Sequence, residues 1–423
     1  MTMTEESRER ALLVGVDIGE EVDFERSMEE LKSLAEACNM QVVGLITQKL
    51  AMINKALYVG TGKVAEIKQF IGECGADVVI FDNALSPSQI RNLQEELDMP
   101  ILDRTSLILD IFAIRAQTRE AKLQVETARL QYLLPRLVGM HEALSRQGGA
   151  SGSMSNKGTG EKKLELDRRK IEHRISELRK ELDEVQVDRQ IQRKKRMNSR
   201  TPQVALVGYT NAGKSTVMNR MVEKYTGNEE KKVLEKDMLF ATLETAVRTI
   251  ETGDNKPFFL VDTVGFIHKL PHGLVKAFHS TLEEVKYADL LVQVVDFSDP
   301  QYRLQMDVTA ETLKELGAGE IPMVVVYNKA ETKMEDLPRV RGTQIYMSAV
   351  NDVGIAELAE LIKGQVYATY QDAEFLIPYD KGAVVSYFME NATVITQEYL
   401  ENGVRLVVNC HKGDADKYSE YLV

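Results

Sequence analysis

Residues 208–215 read GYTNAGKS, directly after the apolar run VALV and directly before the helical pattern TVMNRMVEKY. A strand that turns between two glycines into a helix fits G-x-x-x-x-G-K-[ST] and permits one local layout. A sheet strand feeds a tight loop of backbone N–H groups, and the loop feeds a helix whose positive end faces an anion. Gly208 and Gly213 supply dihedrals that other residues resist. Tyr209, Thr210, Asn211 and Ala212 lie between them and contribute to the cradle. The pattern predicts that Lys214 reaches the β- and γ-phosphates of a nucleotide and that the Ser215 hydroxyl ligates Mg²⁺.

Such a site needs a carboxylate on a following strand and a group that senses the γ-phosphate. Asp262-Thr263-Val264-Gly265, at the end of PFFLVD, supplies both. Asp262 is expected to hold the metal through water, and the Gly265 N–H to meet the γ-phosphate. Thr242, flanked by Phe240, Ala241, Leu243 and Glu244, is placed where a mobile loop can close its hydroxyl onto Mg²⁺ and γ-phosphate; a plain surface threonine is the alternative. Lys214, Thr242 and Gly265 are therefore the expected catalytic groups. Asn328-Lys329-Ala330-Glu331 follows MVVVY, and Ser348-Ala349-Val350 follows QIYM. GTP-binding proteins carry Asn-Lys-x-Asp at this place, and the Asp accepts from N1–H and the 2-amino group of guanine. Glu331 is one methylene longer, still pairs with those donors and still repels the lone pair of adenine N1, so guanine is the expected base. After Gly265 comes Phe266, where Ras-like proteins keep a water-orienting Gln. Phenylalanine has no donor or acceptor, so intrinsic hydrolysis is expected to be slow. His268 and His272 are nearby as helpers or as solvent-facing histidines.

Alternating strand and helix signals recur from Gln203 to about Gly364 in near-continuous apolar strands, as in a doubly wound parallel sheet. The first hundred residues alternate likewise, with helical patterns near Phe24 to Cys38, Gly62 to Cys74 and Ser86 to Leu97, and predict a small βαβ domain. Ser86 and Pro87 read as cap and first position of a helix. VGTGK at 59–63 is read as a turn that starts a helix. Between Thr105 and Arg200 strand signals vanish. Leu123, Leu130 and Leu137 repeat every seven residues beside Leu133 and Leu134, and Leu164, Ile171, Leu178 and Val185 do so beside Ile175 and Leu182. Two long antiparallel helices are predicted, joined by SRQGGASGSMSNKGTG, which is too rich in Gly and Ser to be helical. Phe375 to Val423 reads as a strand, a helix over GAVVSYFMEN, a hairpin turning at Glu401 to Gly403 and a terminal helix.

The formal net charge is -12, but residues 103–200 hold 22 Lys or Arg against 14 Asp or Glu, a net of +8, which leaves -20 on the other 325. A positive segment in an acidic chain predicts contact with a polyanion, or else a solvated hairpin laced with ion pairs. At 43% hydrophobic residues the chain excludes collagenous and disordered classes. No apolar stretch approaches the ~20 residues that span a bilayer, and MTMTEESRER precedes no signal core, so a cytoplasmic protein without membrane insertion is expected. Cys38, Cys74 and Cys410 are read as buried reduced thiols.

Outside the nucleotide motifs, LYVGTGKVAEI, LSPSQIRNLQEEL, ILDRTSLILDIFAIRAQTREAKLQVETARLQYLLPRL, GTGEKKLELDRRKIEHRI and DTVGFIHKLPHGLVKAFHSTLEEVKYADLLVQVVD closely resemble the HflX family of translation-associated GTPases, from about Leu12 to Lys363. GTGEKKLELDRR departs from that family's G-P-G-E-T-Q-L-E-T-D-R-R, which marks a divergent member. The resemblance implies a P-loop GTPase domain at 201–368, preceded by an α/β domain at 1–104 and a helical hairpin at 105–200. A small α+β domain at 369–423 follows. It also implies Mg²⁺ as cofactor, GTP and GDP as ligands, and the large (50S) ribosomal subunit and its rRNA as partner. Hydrolysis would be stimulated by ribosomes and serve their rescue, splitting or recycling. Arg168 and Arg169 are expected to contact rRNA phosphate, with pairing to Glu165 and Glu172 as the alternative. A monomer that binds no DNA is expected. The competing reading is a nucleotide-dependent RNA-binding or membrane-associated switch or scaffold that does not act on ribosomes.

Overall fold

A computed structural model describes residues 8–19, 23–147, 157–198, 201–226, 240, 245–269 and 283–423. The chain divides into two compact units. The first holds the described residues up to Ile191 with Phe240, His268 and Lys269; the second holds the remainder.

In the first unit, strands β1 (Arg10–Asp17), β2 (Gln41–Lys49), β3 (Val78–Phe81) and β4 (Ile101–Asp103) form a sheet in the order β2-β1-β3-β4, with every pair parallel. Parallel neighbours need crossovers. Helices α1 (Phe24–Ala37), α2 (Thr61–Cys74) and α3 (Pro87–Leu97) supply them. Ser86 accepts from Gln89 N in a capping box with Pro87 in the first turn, and Gly60 caps α2 in extended conformation, so VGTGK does start a helix. Helix α4 (Arg104–Arg115) is separate from the long hairpin, because Ala116 leaves helical dihedrals at ψ 111. The hairpin is α5 (Arg119–Gln147) and α6 (Lys157–Asn198). Arg119 pairs with Glu181 and Arg174 with Glu126, so one helix ascends as the other descends. Leu123, Ile175 and Leu178 are buried in the seam, whereas Leu133 is exposed. Ser145 to Gln147 and Lys157 to Gly160, expected in the Gly-rich break, are helical. Each glycine costs only about 1 kcal/mol against alanine, and the long helix it extends has already met the cost of nucleation. Residues 148–156 of that break lie outside the described residues.

The second unit carries β5 (Gln203–Val207), α7 (Lys214–Thr226), β6 (Ala246–Ile250), β7 (Phe258–Asp262), β8 (Leu290–Asp296), α8 (Tyr302–Glu315), β9 (Met323–Asn328), β10 (Arg339–Arg341), β11 (Gln344–Tyr346) and α9 (Ile355–Val366). Its sheet runs β10-β11-β9-β8-β5-β7-β6, parallel except for the antiparallel edge strands β6 and β10. Val204, Leu206, Leu260, Val292, Val294, Val324 and Val326 meet the helices in one core. Beyond it, β12 (Tyr370–Ile377), β14 (Gly403–His411) and β13 (Thr393–Leu400) make an antiparallel sheet in that order, covered by α10 (Gly382–Asn391). Gly403 takes φ 153, and a Cβ there would lie 2.4 Å from Ile377 O, so the hairpin needs glycine. The expected terminal helix is short, α11 (Lys412–Lys417). All three thiols are free; Cys410 is buried, while Cys38 and Cys74 are only half-buried.

One buried ionic cluster organises the first unit. Asp82, just past β3, is fully buried, and Arg104, at the start of α4, is 2% exposed. Arg104 donates to Asp82 Oδ1 at 2.7 Å, to Glu30 and to His268 O at 3.1 Å; Lys269 Nζ donates to Asp82 Oδ2 at 2.5 Å and Ser27 Oγ at 2.9 Å. Burial pushes the Asp82 carboxyl up, but the two cations outweigh it and hold the group below the usual carboxylate range. Replacing Asp82 with alanine leaves buried cations short of a partner, which is expected to cost about 3–5 kcal/mol. Urea unfolding followed by circular dichroism should show a clearly lower midpoint for the first unit; an unchanged midpoint refutes the role of the cluster.

Candidate nucleotide site

The loop from Gly208 to Gly213 joins β5 to α7, and sterics dictate its glycines. At Gly208, φ is 143 and a Cβ would lie 2.2 Å from Val294 O; at Gly213, φ is 96 and a Cβ would lie 2.2 Å from Asn328 Nδ2. Asn211 takes the left-handed conformation that asparagine tolerates, at φ 60. Lys214 is buried in the first turn of α7, and its ammonium donates to Gly208 O at 3.0 Å and Tyr209 O at 2.7 Å. Burial pushes its pKa down to about 8, opposed by the charge of Asp262. Successive N–H groups, a helix start and a buried ammonium make a loop chemically suited to phosphate.

Asp262 ends β7 and is fully buried. Ser215 Oγ donates to Asp262 Oδ2 at 2.8 Å, and Thr263 Oγ1 donates to Leu206 O at 2.6 Å. A hydroxyl and a carboxylate within hydrogen-bond distance are hard oxygen donors that fit Mg²⁺, which takes few protein ligands and completes its shell with phosphate and water. Among the described residues, no group of three or more His, Cys, Asp or Glu could hold a metal unaided. Val264 is buried, and Gly265 lies against the loop: a Cβ there would be 2.8 Å from Thr210 Cα and 3.0 Å from Lys214 Nζ. Phe266 pairs with the loop through its backbone. Thr210 N donates to Phe266 O at 2.8 Å, and Phe266 N to Gly208 O at 3.1 Å.

At the end of β9, Asn328 Nδ2 donates to Ala212 O at 2.9 Å and its Oδ1 accepts from Ala349 N at 3.0 Å. Lys329 adopts φ 59 and donates to Asn211 O at 2.9 Å and Asp296 Oδ2 at 2.8 Å. Ala330, Ser348 and Ala349 are buried; Glu331 and Val350 are exposed.

Three family models match successive parts of the chain: "GTP-binding GTPase N-terminal" over 25–113, "GTP-binding GTPase Middle Region" over 115–196 and "50S ribosome-binding GTPase" over 203–329. The GTPase HflX of Caldanaerobacter subterraneus subsp. tengcongensis is 44% identical over 397 residues, 94% of this chain and 90% of that protein. The chain belongs to the HflX family of GTPases. Two further HflX relatives have the same reach: that of Alkalihalophilus pseudofirmus is 42% identical over 95% of this chain and 93% of its own, and that of Escherichia coli K12 is 37% identical over 93% and 91%.

In this HflX chain, two residues brace the site that its motifs did not single out. Asp296, at the carboxyl end of β8, holds Lys329. Arg220 on α7 donates to Ala349 O at 3.2 Å and Val350 O at 3.1 Å. A carboxylate ending an apolar strand was the signal for the first; nothing local marked the second. Phe240 is buried in the first unit, edge-on to Phe112 at 4.8 Å. Ala241, Thr242, Leu243, Glu244 and His272 lie outside the described residues. His268 is half-buried, and its carbonyl is taken by Arg104. Arg168 pairs with Glu172 at 2.9 Å and Arg169 with Glu165 at 3.2 Å, both exposed on α6.

A methyl group at Gly213 must displace Asn328, the residue that also fixes Ala212 and Ala349. Gly213→Ala is expected to weaken guanine-nucleotide binding at least ~100-fold, a loss of about 2.7 kcal/mol. Calorimetric titration checks this, with circular dichroism to confirm the fold; affinity within a few-fold of the parent refutes it.

Proposed function

We propose that this HflX GTPase binds GTP with Mg²⁺ at Gly208–Ser215, hydrolyses it to GDP and phosphate, and acts as a cytoplasmic monomer on the 50S ribosomal subunit and its rRNA in ribosome rescue, splitting or recycling. The observation that carries the nucleotide reading is the convergence of Lys214, Ser215, Asp262, Gly265 and Asn328 around one loop. Lys214 neutralises β- and γ-phosphate charge while the loop N–H groups orient the phosphates for in-line attack. Ser215 would hold Mg²⁺ directly and Asp262 through water, with Thr242 joining on closure; the ion neutralises charge on the phosphates. The Gly265 N–H meets the γ-phosphate. Glu331 accepts from N1–H and the 2-amino group of guanine, and Lys329, braced by Asp296, covers the base.

The ribosomal reading is supported by the match of 203–329 to a family model described as a 50S ribosome-binding GTPase, and by the net +8 of residues 103–200. Exposed ion pairs add little stability in water, so Arg168 and Arg169 can exchange their glutamates for phosphate at small cost. Among the described residues no helix is long and apolar enough to cross a membrane.

GTP and GDP should bind at least ~100-fold more tightly than ATP, and comparable affinities would sink the guanine assignment. Turnover should rise at least ~tenfold on adding 50S subunits, since Phe266 cannot orient water unaided. Co-sedimentation with 50S particles, with and without a non-hydrolysable GTP analogue, tests the partner. Replacing Arg168 and Arg169 together by Glu should abolish the stimulation and leave nucleotide affinity intact; a normal response removes these two residues from the ribosome contact.

A further inference from the structure

Guanine and adenine differ at position 6, where guanine presents an acceptor, O6, and adenine a donor, its amino group. A loop that reads this edge favours guanine by offering N–H groups and favours adenine by offering carbonyls. Ser348, Ala349 and Val350 are the loop residues assigned to the base, and every carbonyl among them is engaged. Ser348 exchanges both of its backbone bonds with Val353, each at 3.0 Å. Ala349 O accepts from Arg220 Nε at 3.2 Å and from Asp352 N at 3.2 Å, and Val350 O accepts from Arg220 Nη2 at 3.1 Å. Ala349 N is held by Asn328 at 3.0 Å. The N–H of Val350 is what remains: it has no partner among the described residues, and the residue is 61% exposed.

Arg220 holds two of these carbonyls with one planar fork, from the second turn of α7. Glu223, three residues on, accepts from its Nη1 at 2.8 Å and steadies the fork. In a trans peptide the carbonyl and the following N–H point opposite ways. Drawing Ala349 O and Val350 O toward α7 therefore turns the N–H groups of Val350 and Asn351 away from that helix. Resting on the nucleotide reading above, we propose that Arg220 is a positioning residue for base selection: by holding both carbonyls against α7, it leaves this loop with donors for guanine O6 and no acceptor for the 6-amino group of adenine. Arg220 acts through the peptide planes and makes no contact with the base. Without it the two peptides are free to flip and present carbonyls instead.

6-Thioguanine keeps N1–H and the 2-amino group but carries sulfur, a weak acceptor, in place of O6, whereas hypoxanthine keeps O6 and lacks the 2-amino group. Calorimetric titration with GDP, 6-thio-GDP and IDP therefore reads the two edges separately. The parent should bind GDP at least ~fivefold more tightly than 6-thio-GDP, about the worth of one hydrogen bond. Arg220→Met keeps an unbranched stem without the donors. It should bring that ratio to within ~twofold of equality and leave the preference for GDP over IDP, which belongs to Glu331, within ~twofold of the parent. Arg220→Lys, whose ammonium lacks the fork, should fall between the two, and it decides the matter if circular dichroism shows the methionine variant unfolded. Folded variants that keep the parent ratio of GDP to 6-thio-GDP, even with weaker binding overall, overturn the proposal and leave Arg220 a structural brace. A parent chain that binds 6-thio-GDP as tightly as GDP overturns it as well. A parent chain that binds none of the three overturns the nucleotide reading, and the proposal with it.

Discussion

The side-chain amide of Asn328 donates to Ala212 O and accepts from Ala349 N, and so ties the phosphate loop and the loop after β11 to the end of β9. Buried polar groups need partners, so losing this one side chain would orphan two backbone groups at once. The same amide leaves no room for a Cβ at Gly213. Parallel topology makes the bracing available: β5, β8, β9 and β11 present their carboxyl ends on one side of the sheet, and the loops there are neighbours in space though distant in sequence.

Lys329 extends the bracing. Its ammonium is shared between Asn211 O on the phosphate loop and Asp296 on β8, and Ser298 N donates to the other oxygen of Asp296 at 3.0 Å. The carboxylate is thus held from both sides, and the lysine stem has a defined course. Glu331, by contrast, is exposed in a short 3-10 turn. Its carboxylate stands clear of the brace while its neighbours are fixed, so it can turn about its own bonds, as the base-reading role proposed for it requires. On the phosphate side, the pairing of Phe266 with the loop removes that freedom.

What was legible in the sequence had local causes. The loop at Gly208–Ser215 was readable because sterics demand glycine at two set positions. The start of α3 was readable because Ser86, Pro87 and Gln89 satisfy its first N–H groups among themselves. The helix over GAVVSYFMEN and the hairpin at Gly403 followed from similarly local signals. What escaped depends on partners far along the chain: Asp296 meets Lys329, Arg220 meets Ala349, and Lys269 meets Asp82. The separate helix α4 escaped for another reason, since Ala116 is a good helix former and only its surroundings turn it out of the helix. Strand β10 is three exposed residues with no apolar pattern to announce it. The contact of Phe240 with Phe112 escaped likewise, since the two rings are far apart in the chain.

Lys269 lies four residues past Gly265, and its ammonium is set on Asp82 in the ionic cluster of the first unit. The strand that delivers Gly265, β7, is rooted in the core of the second unit through Phe258 and Leu260. The γ-phosphate motif is therefore followed by a chain segment anchored in a different core from the strand before it. Of the intervening residues, Phe266 is bonded to the phosphate loop and His268 offers its carbonyl to Arg104. Losing Lys269 would take one of two cations from the buried Asp82 carboxylate, a loss that burial makes costly. The segment after the glycine is thus fixed within the first unit by a buried ion pair and a backbone carbonyl, and that fixation depends on Asp82 staying charged.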